Sequence, residues 1–377
     1  MTGPAASVLG GMEAGEFLAH YWQRRPCLIR QAIPGFDSFL TREDLLALST
    51  RDTVESRLVL ERGGEAPWQV VPGPLDAESL QQLPDSHWTL LVQNVDLHLP
   101  EAAALLRRFR FIPDWRIDDL MISIAPKGGG VGPHLDSYDV FLLQARGRRR
   151  WQIHPDGYTE ADFIPGLDLR ILADFRPQQE WILEPGDMLY LPPGVAHHGV
   201  ALDDCQTYSI GFRAPTRHEL LNLYLDDMLA GYTDRRYADP GLTPQEHSAE
   251  ITAGARRRIR SLLKAPFEND AALDRWFGRH ITRLPDQVEI APPLPLDQDA
   301  FTALSRRARA LRCHHACRMV FFPGAGGLLL YVNGGEYPLP GDCLDFVTTL
   351  TEARELDREQ LGKYTAAPAT AQVLHDL

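Results

Sequence analysis

Gly128-Gly129-Gly130-Val131-Gly132-Pro133-His134-Leu135-Asp136 sets an imidazole and a carboxylate two residues apart behind a glycine run. On an extended strand such a pair points to one face, so His134 and Asp136 can grip a single ion. A second stretch, Glu184-Pro185-Gly186-Asp187-Met188-Leu189-Tyr190-Leu191-Pro192-Pro193-Gly194-Val195-Ala196-His197, brings another histidine just after a strand and a Pro/Gly turn. Two histidines and one carboxylate make a facial triad. Three protein ligands on one side of an octahedral metal leave three positions open, enough for a bidentate keto acid and dioxygen at a non-haem Fe(II) centre. The competing reading, a hydrogen-bonded His134–Asp136 pair at a strand end, leaves His197 without a part.

The segment Gly147-Arg148-Arg149-Arg150-Trp151-Gln152-Ile153 supplies the next clue. Strand alternation puts Arg149 on the face of Trp151 and Ile153, with Arg148, Arg150 and Gln152 on the other. An inward guanidinium is costly unless an anion pairs with it, and a carboxylate binds it in bidentate fashion; the distal carboxylate of 2-oxoglutarate suits. The alternative is a solvated basic strand, against which the alternation with Trp151 argues. By the same parity Tyr138 shares the face of His134 and Asp136. Asp119, Met121 and Ser123 share a face opposite Leu120, Ile122 and Ile124. Ser123 can assist the keto acid, while Asp119 and Tyr138 can hold a flat cationic group by charge and stacking. Barrel packing explains Met121 equally well.

Working outward, strand signals crowd residues 89–212, at 89–95, 120–125, 138–145, 148–153, 181–183, 188–191 and 208–212, with Gly/Pro turns between them. Many short strands predict a barrel or sandwich. Ahead of them the pattern predicts helices at 16–23 and 41–48 and strands at 27–29, 57–60 and 68–71. After Arg213 leucines recur at helical spacing, and Ala291-Pro292-Pro293-Leu294-Pro295 reads as a linker. Beyond it a helix at 301–311, strands at 319–322 and 328–332, a turn at Asn333-Gly334-Gly335 and a helix at 344–350 fit a winged-helix-like module. The expected units are 1–215, 216–290 and 291–377.

Composition bounds the rest. Hydrophobic residues at 44% and charged ones at 24% are ordinary globular values. No apolar run approaches a membrane span and no leader pattern opens the chain, so a cytoplasmic protein without a membrane partner is expected. Five scattered cysteines read as free thiols. A net charge of −13 argues against a dedicated nucleic-acid face. Cys313-His314-His315-Ala316-Cys317 invites a zinc reading, but no second ligand pair follows at usable spacing. Arg256-Arg257-Arg258 reads as a solvated helix face.

Several stretches together resemble the JmjC-type oxygenases, and more closely the bacterial YcfD-type ribosomal oxygenases. They are Tyr21-Trp22-Gln23-Arg24-Arg25-Pro26, Pro113-Asp114-Trp115-Arg116-Ile117-Asp118-Asp119-Leu120-Met121-Ile122-Ser123, the glycine-rich H-x-D segment, 147–151, and Tyr208-Ser209-Ile210-Gly211-Phe212-Arg213-Ala214-Pro215. The resemblance spans most of the first 215 residues and is looser after Pro295. It implies an α+β chain with a double-stranded β-helix (JmjC/cupin barrel), a helical dimerisation domain and a C-terminal winged helix. It also implies iron at His134, Asp136 and His197, 2-oxoglutarate on Arg149, and a substrate guanidinium near Asp119, Met121, Tyr138 and Ser209. The activity implied is hydroxylation of an arginine side chain in a large-subunit ribosomal protein, the L-sixteen protein, by a homodimer. Dioxygen and 2-oxoglutarate are consumed, and succinate and carbon dioxide released. Two other readings stay open: a small-molecule oxygenase with the same iron centre, and a non-catalytic cupin-like protein that engages the ribosome.

Overall fold

The computed structural model describes residues 8–63, 68–155, 157–159, 162–167, 169–231, 235–286, 288, 290, 296–324 and 326–377. The linker read at 291–295 lies outside them. Contacts gather the chain into two compact units. One is formed by the described parts of Met1–Ala214, Pro285–Pro292 and His314–Ala316; the other by those of Pro215–Leu284, Pro293–Cys313 and Cys317–Leu377.

Twelve strands build the first unit: β1 (Cys27–Ile29), β2 (Ser56–Glu61), β3 (Trp68–Pro72), β4 (Trp88–Val92), β5 (Ile117–Ala125), β6 (His134–Leu135), β7 (Asp139–Arg146), β8 (Arg149–His154), β9 (Gln179–Leu183), β10 (Met188–Leu191), β11 (Ala196–Ala201) and β12 (Cys205–Phe212). They form an eight-stranded sheet in the order β1-β10-β7-β12-β5-β4-β2-β3 and a four-stranded sheet in the order β6-β11-β8-β9, with antiparallel pairing throughout. Short helices accompany them: α1 (Ala14–His20), α2 (Arg42–Leu48), α3 (Ala77–Gln81), α4 (Val95–His98) and α5 (Pro100–Leu106). Thr41 closes the start of α2 with a capping box, its hydroxyl taking the Asp44 amide while the Asp44 carboxylate takes the Thr41 amide.

The large sheet packs apolar residues on both faces. Phe141, Leu143, Tyr190, Tyr208, Ile210, Phe212, Leu120, Ile122 and Ile124 pack outward onto α1, α2 and α5. Their alternates Val140, Leu142, Leu189 and Leu191 turn inward to meet Trp151, Ile153 and Leu183 of the small sheet. The strand β7 is therefore buried along nearly its whole length, and reads as a continuous hydrophobic run for that reason. Its first residue, Asp139, is wholly buried, accepting from the Tyr190 hydroxyl at 2.6 Å and from Gln23 Nε2 at 2.9 Å, with Arg116 at 3.3 Å.

Element boundaries depart from the sequence reading in a few places. The strand expected to reach Val95 ends at Val92, because Asn94 takes a left-handed conformation and opens α4. His197, read as following a strand, is the second residue of β11 itself. In the second unit α6 (Arg217–Gly231), α7 (Ala253–Lys264), α8 (Asp270–Thr282) and α9 (Gln298–Arg307) precede β13 (Ala310–Arg312), β14 (Met319–Gly324), β15 (Gly327–Val332) and β16 (Gly335–Leu339). Leu311, expected at a helix end, lies in β13, since Ala308 turns extended and Leu311 pairs with Leu356 of β17 (Glu355–Asp357). The helices α10 (Leu344–Ala353), α11 (Arg358–Ala366) and α12 (Pro368–Asp376) complete this unit. The turn at Asn333 and Gly334 joins β15 to β16 as its dipeptide requires, both residues having positive φ.

Candidate active site

The strand β6 is only two residues long, and Asp136 stands just beyond its end. His134 pairs in register with His197 of the neighbouring β11, so the two imidazoles come from adjacent strands with ring centroids 4.2 Å apart. One atom from each of His134, Asp136 and His197 lies within 4.8 Å of the others, the only such group of three among the described residues. His197 Nε2 is 3.5 Å from one Asp136 oxygen, and His134 Nε2 is 3.8 Å from the other.

The backbone fixes which nitrogen each ring offers. Nδ1 of His134 lies 2.9 Å from the Gly132 oxygen and Nδ1 of His197 lies 3.0 Å from the Val195 oxygen. A carbonyl can only accept, so each Nδ1 carries the proton and each Nε2 lone pair faces the carboxylate. This is the arrangement that orients a metal-binding imidazole. Burial, reinforced by the neighbouring His134, lowers the His197 pKa to about 4, keeping the ring neutral as a ligand must be. His198 alternates away from the triad, its ring edge-on to Phe175.

Glycines allow this convergence at two places. Gly132 holds φ at +79° immediately before Pro133 and His134, a conformation that L side chains rarely adopt. A Cβ on Gly199 would stand 2.6 Å from the ring of Trp151, so glycine there lets that indole lie across β11 beside His197, 5.8 Å between ring centroids.

All nine residues singled out in the sequence line one cavity of about 340 Å³: His134, Asp136, His197, Arg149, Ser123, Asp119, Met121, Tyr138 and Ser209. The register of the strands orders them along it. In the small sheet Ile153 pairs with His197 and Arg149 with Ala201, so Arg149 enters beyond the triad at one end. In the large sheet Met121 pairs with Ser209, while Asp119 stands beside Gly211, its Oδ1 3.1 Å from where a Cβ there would be. Asp119 and Tyr138 therefore mark the other end.

The two ends have opposite character. Arg149 is buried over the face of Trp151, and its Nε and Nη2 find no acceptor among the described residues. An unpaired buried guanidinium is expensive, and an incoming carboxylate relieves it. At the far end burial, with Asp118 and Asp96 adding to it, raises the Asp119 pKa to about 7. The Asn94 amide, 3.2 Å away, is the donor that opposes this. An incoming cation would favour the carboxylate. Ser123 is buried between the ends, donating to the Thr207 oxygen at 3.4 Å.

The cavity also contains residues that sequence reasoning missed: Arg57 and Val59 from β2, and Thr89, Leu91 and Gln93 from β4 and the turn after it. Alternation along 89–93 was visible. What was not visible is that β4 pairs with β5, Leu91 opposite Ser123, which turns that face into cavity wall.

A barrel that sets two imidazoles and a carboxylate beside an unpaired buried arginine carries the site chemistry of a keto-acid-dependent cupin oxygenase. Comparisons with known proteins agree. Residues 104–220 match the JmjC domain, residues 176–287 an AraC-like ligand binding domain, and residues 263–377 a ROXA-like winged helix. The ribosomal protein uL16 3-hydroxylase of Escherichia coli is 39% identical over 281 residues, 74% of this chain and 74% of that protein. A probable ribosomal oxygenase of Haemophilus influenzae is 41% identical over 207 residues, 55% of this chain and 51% of that one. The X-ray structure of E. coli ycfD superposes with a TM-score of 0.86 at 33% identity, covering 97% of this chain and 96% of that one. A structure of E. coli YcfD in complex with cobalt and 2-oxoglutarate gives 0.82 at the same identity and coverage. The chain belongs to the JmjC-domain ribosomal oxygenases.

Proposed function

We propose that this protein hydroxylates an arginine side chain of a large-subunit ribosomal protein of the L16 type, using Fe(II), dioxygen and 2-oxoglutarate. The observation that carries the reading is the polarity of one cavity, with an unpaired guanidinium at one end, three ligand atoms within 4.8 Å in the middle and a half-buried carboxylate at the other. His134, Asp136 and His197 would hold the iron, which when bound supplies the oxidising chemistry. Arg149 would take the distal carboxylate of 2-oxoglutarate, with Ser123 beside it.

The remaining work is positioning. Asp119 would pair with the substrate guanidinium, Tyr138 would stack on its flat face, and Met121 and Ser209 would flank the aliphatic stem, presenting one carbon to the metal. The apolar wall of Val140, Leu142 and Trp151 would keep water out. The name of the E. coli relative, a ribosomal protein uL16 3-hydroxylase, supports the choice of a ribosomal protein of the L16 type as substrate.

Two accompanying assignments follow. The helical stretch 216–290 would mediate homodimerisation, supported by the exposed Leu221, Leu223, Leu229, Ile259 and Leu263 on α6 and α7. Residues 291–377 would act as the winged-helix unit. Among the described residues no helix is long and apolar enough to cross a membrane, and a ribosomal substrate implies work in the cytoplasm.

The test is incubation of the enzyme with Fe(II), 2-oxoglutarate and the ribosomal protein, read by mass spectrometry. One added oxygen on an arginine is expected. Keto-acid turnover without modification of the ribosomal protein would overturn the substrate and leave a small-molecule oxygenase.

A further inference from the structure

Thr89 is fully buried in the interior-facing row of β4, and its Oγ1 finds no partner among the described residues. A buried hydroxyl without an acceptor costs free energy that a native core ordinarily avoids. This one opens onto the active-site cavity. Ser123, on the same wall, already has the Thr207 carbonyl as its acceptor.

Strand register places Thr89 along the cavity. Leu90 pairs with Ile124 and Leu91 with Ser123, so the next step of the antiparallel ladder sets Thr89 opposite Ala125. Ala125 packs with Ala201, and Ala201 is the register partner of Arg149. The loop between β5 and β6 closes the same level. Gly128 donates to the Ala201 oxygen at 2.8 Å, and Gly129 lies so close to the Trp88 carbonyl that a Cβ would come within 2.1 Å of it. Thr89 and Arg149 thus enter from opposite sheets at one end of the cavity, away from Asp119.

Among the described residues four cavity-lining side chains have buried polar atoms without a partner: Arg57 at Nε, opposite Leu91, and, gathered around that end, Thr89 at Oγ1, Arg149 at Nε and Nη2, and Trp151 at Nε1. At the Arg149 end the shortage is of acceptors. A carboxylate presents two oxygens with about four lone-pair directions, more than one arginine fork uses.

We infer that Thr89 is a co-substrate-binding residue whose hydroxyl donates to the distal carboxylate of 2-oxoglutarate alongside Arg149. This rests on the co-substrate reading given above. Arg149 neutralises the carboxylate from the small sheet and Thr89 reaches it from the large one, so the keto acid is held from both walls.

The test uses the full chain loaded with Mn(II) under anaerobic conditions, so that 2-oxoglutarate binds without turnover and calorimetry reads its affinity. Thr89→Val keeps the shape and removes the donor. It should weaken 2-oxoglutarate binding by about tenfold or more, as loss of a hydrogen bond to a charged group does. Thr89→Ser should stay within about threefold, and the metal-free Thr89→Val protein should melt no lower than the parent, because it loses an unsatisfied buried hydroxyl. Binding of 2-oxobutanoate, which lacks the distal carboxylate, should be the same in parent and variant. Unchanged 2-oxoglutarate binding by Thr89→Val, or equal weakening for 2-oxobutanoate, overturns the assignment. Should valine fail to fold, Thr89→Ala answers the same question. Arg149→Met separates the two levels: if it weakens binding and Thr89→Val does not, Thr89 alone is wrong, whereas if neither does, the co-substrate placement itself fails.

Discussion

The amide of Gly194 donates to the main-chain oxygen of Asp136 at 2.8 Å. The turn that leads to His197 is thereby clipped to the residue that supplies the carboxylate, and two ligand segments sixty-one positions apart in sequence move as one piece. Gly194 holds φ at +82° with no atom within 4 Å of where a Cβ would stand, so its glycine character serves conformation rather than space.

Gly194→Ala should therefore cost about 1 kcal/mol through the positive φ alone. In a unit of roughly 200 residues, such as the one that holds Gly194, that is a fall of roughly 2–4 °C in its melting temperature. Metal affinity, followed by titration with Co(II) and its visible spectrum, should fall more than general destabilisation explains. A variant that melts lower yet binds Co(II) like the parent would show that the clip does not serve the metal.

Removing a ligand has a sharper outcome. His134→Ala and Asp136→Ala should abolish 2-oxoglutarate turnover and lose metal affinity by at least about 100-fold, more than loss of an outer partner causes. Chelation of the parent should reproduce the inactivity, and added Fe(II) should restore it. Turnover persisting in both variants would remove iron from these residues.

Asp119 links the site to pH. Its folded-state pKa is raised from 3.8 to about 7, first by burial and then by Asp118 and Asp96. The carboxylate form proposed above to pair with a substrate guanidinium is thus lost as pH falls through about 7, and on that proposal kcat/KM for the arginine substrate should rise with pH to a plateau above that value. Asp119→Asn should lower the plateau and erase the inflection. For stability the sign reverses: the folded state holds a proton that the unfolded chain releases near 3.8, so the parent loses stability between pH 4 and pH 7. Asp119→Asn should melt with the parent at pH 4 and above it at pH 8. A parent that melts identically at both pH values, once its variant is subtracted, would contradict the raised value.

Asp139 tests the frame rather than the chemistry. It is wholly buried among Arg116, Tyr190 and Gln23, directly after Tyr138. Asp139→Ala strands the largely buried Arg116 side chain, which should cost about 3–5 kcal/mol. Denaturant unfolding would measure it. Replacing Asp139 with Asn, which keeps the shape and an acceptor, should recover part of the loss; equal losses would mean that charge is the whole of the interaction.

The ligand residues His134, Asp136 and His197 were legible in the chain because a metal demands particular donor types, and a two-residue spacing or a Pro/Gly turn before a histidine is visible in one dimension. Arg149 was legible for a related reason: its alternation with Trp151 and Ile153 exposed a charge on an apolar face, and β8 is buried in that alternating pattern. Strand parity likewise separated Asp119, Met121 and Ser123 from Leu120, Ile122 and Ile124, which went to opposite sides of the large sheet.

Pairing between strands was not legible, since it joins segments whose sequence separation sets no neighbour. That decided the rest: β4 beside β5 made Thr89 a wall of the cavity, β6 beside β11 faced one imidazole to the other, and β13 found β17 some forty-five residues onward. The order of groups from Arg149 through the triad to Asp119 is likewise a property of register between two sheets. Local sequence determined which side chains have chemistry to offer and which way each faces on its own strand; only the packed sheets decided which of them share a space, because that depends on long-range hydrogen bonding and burial.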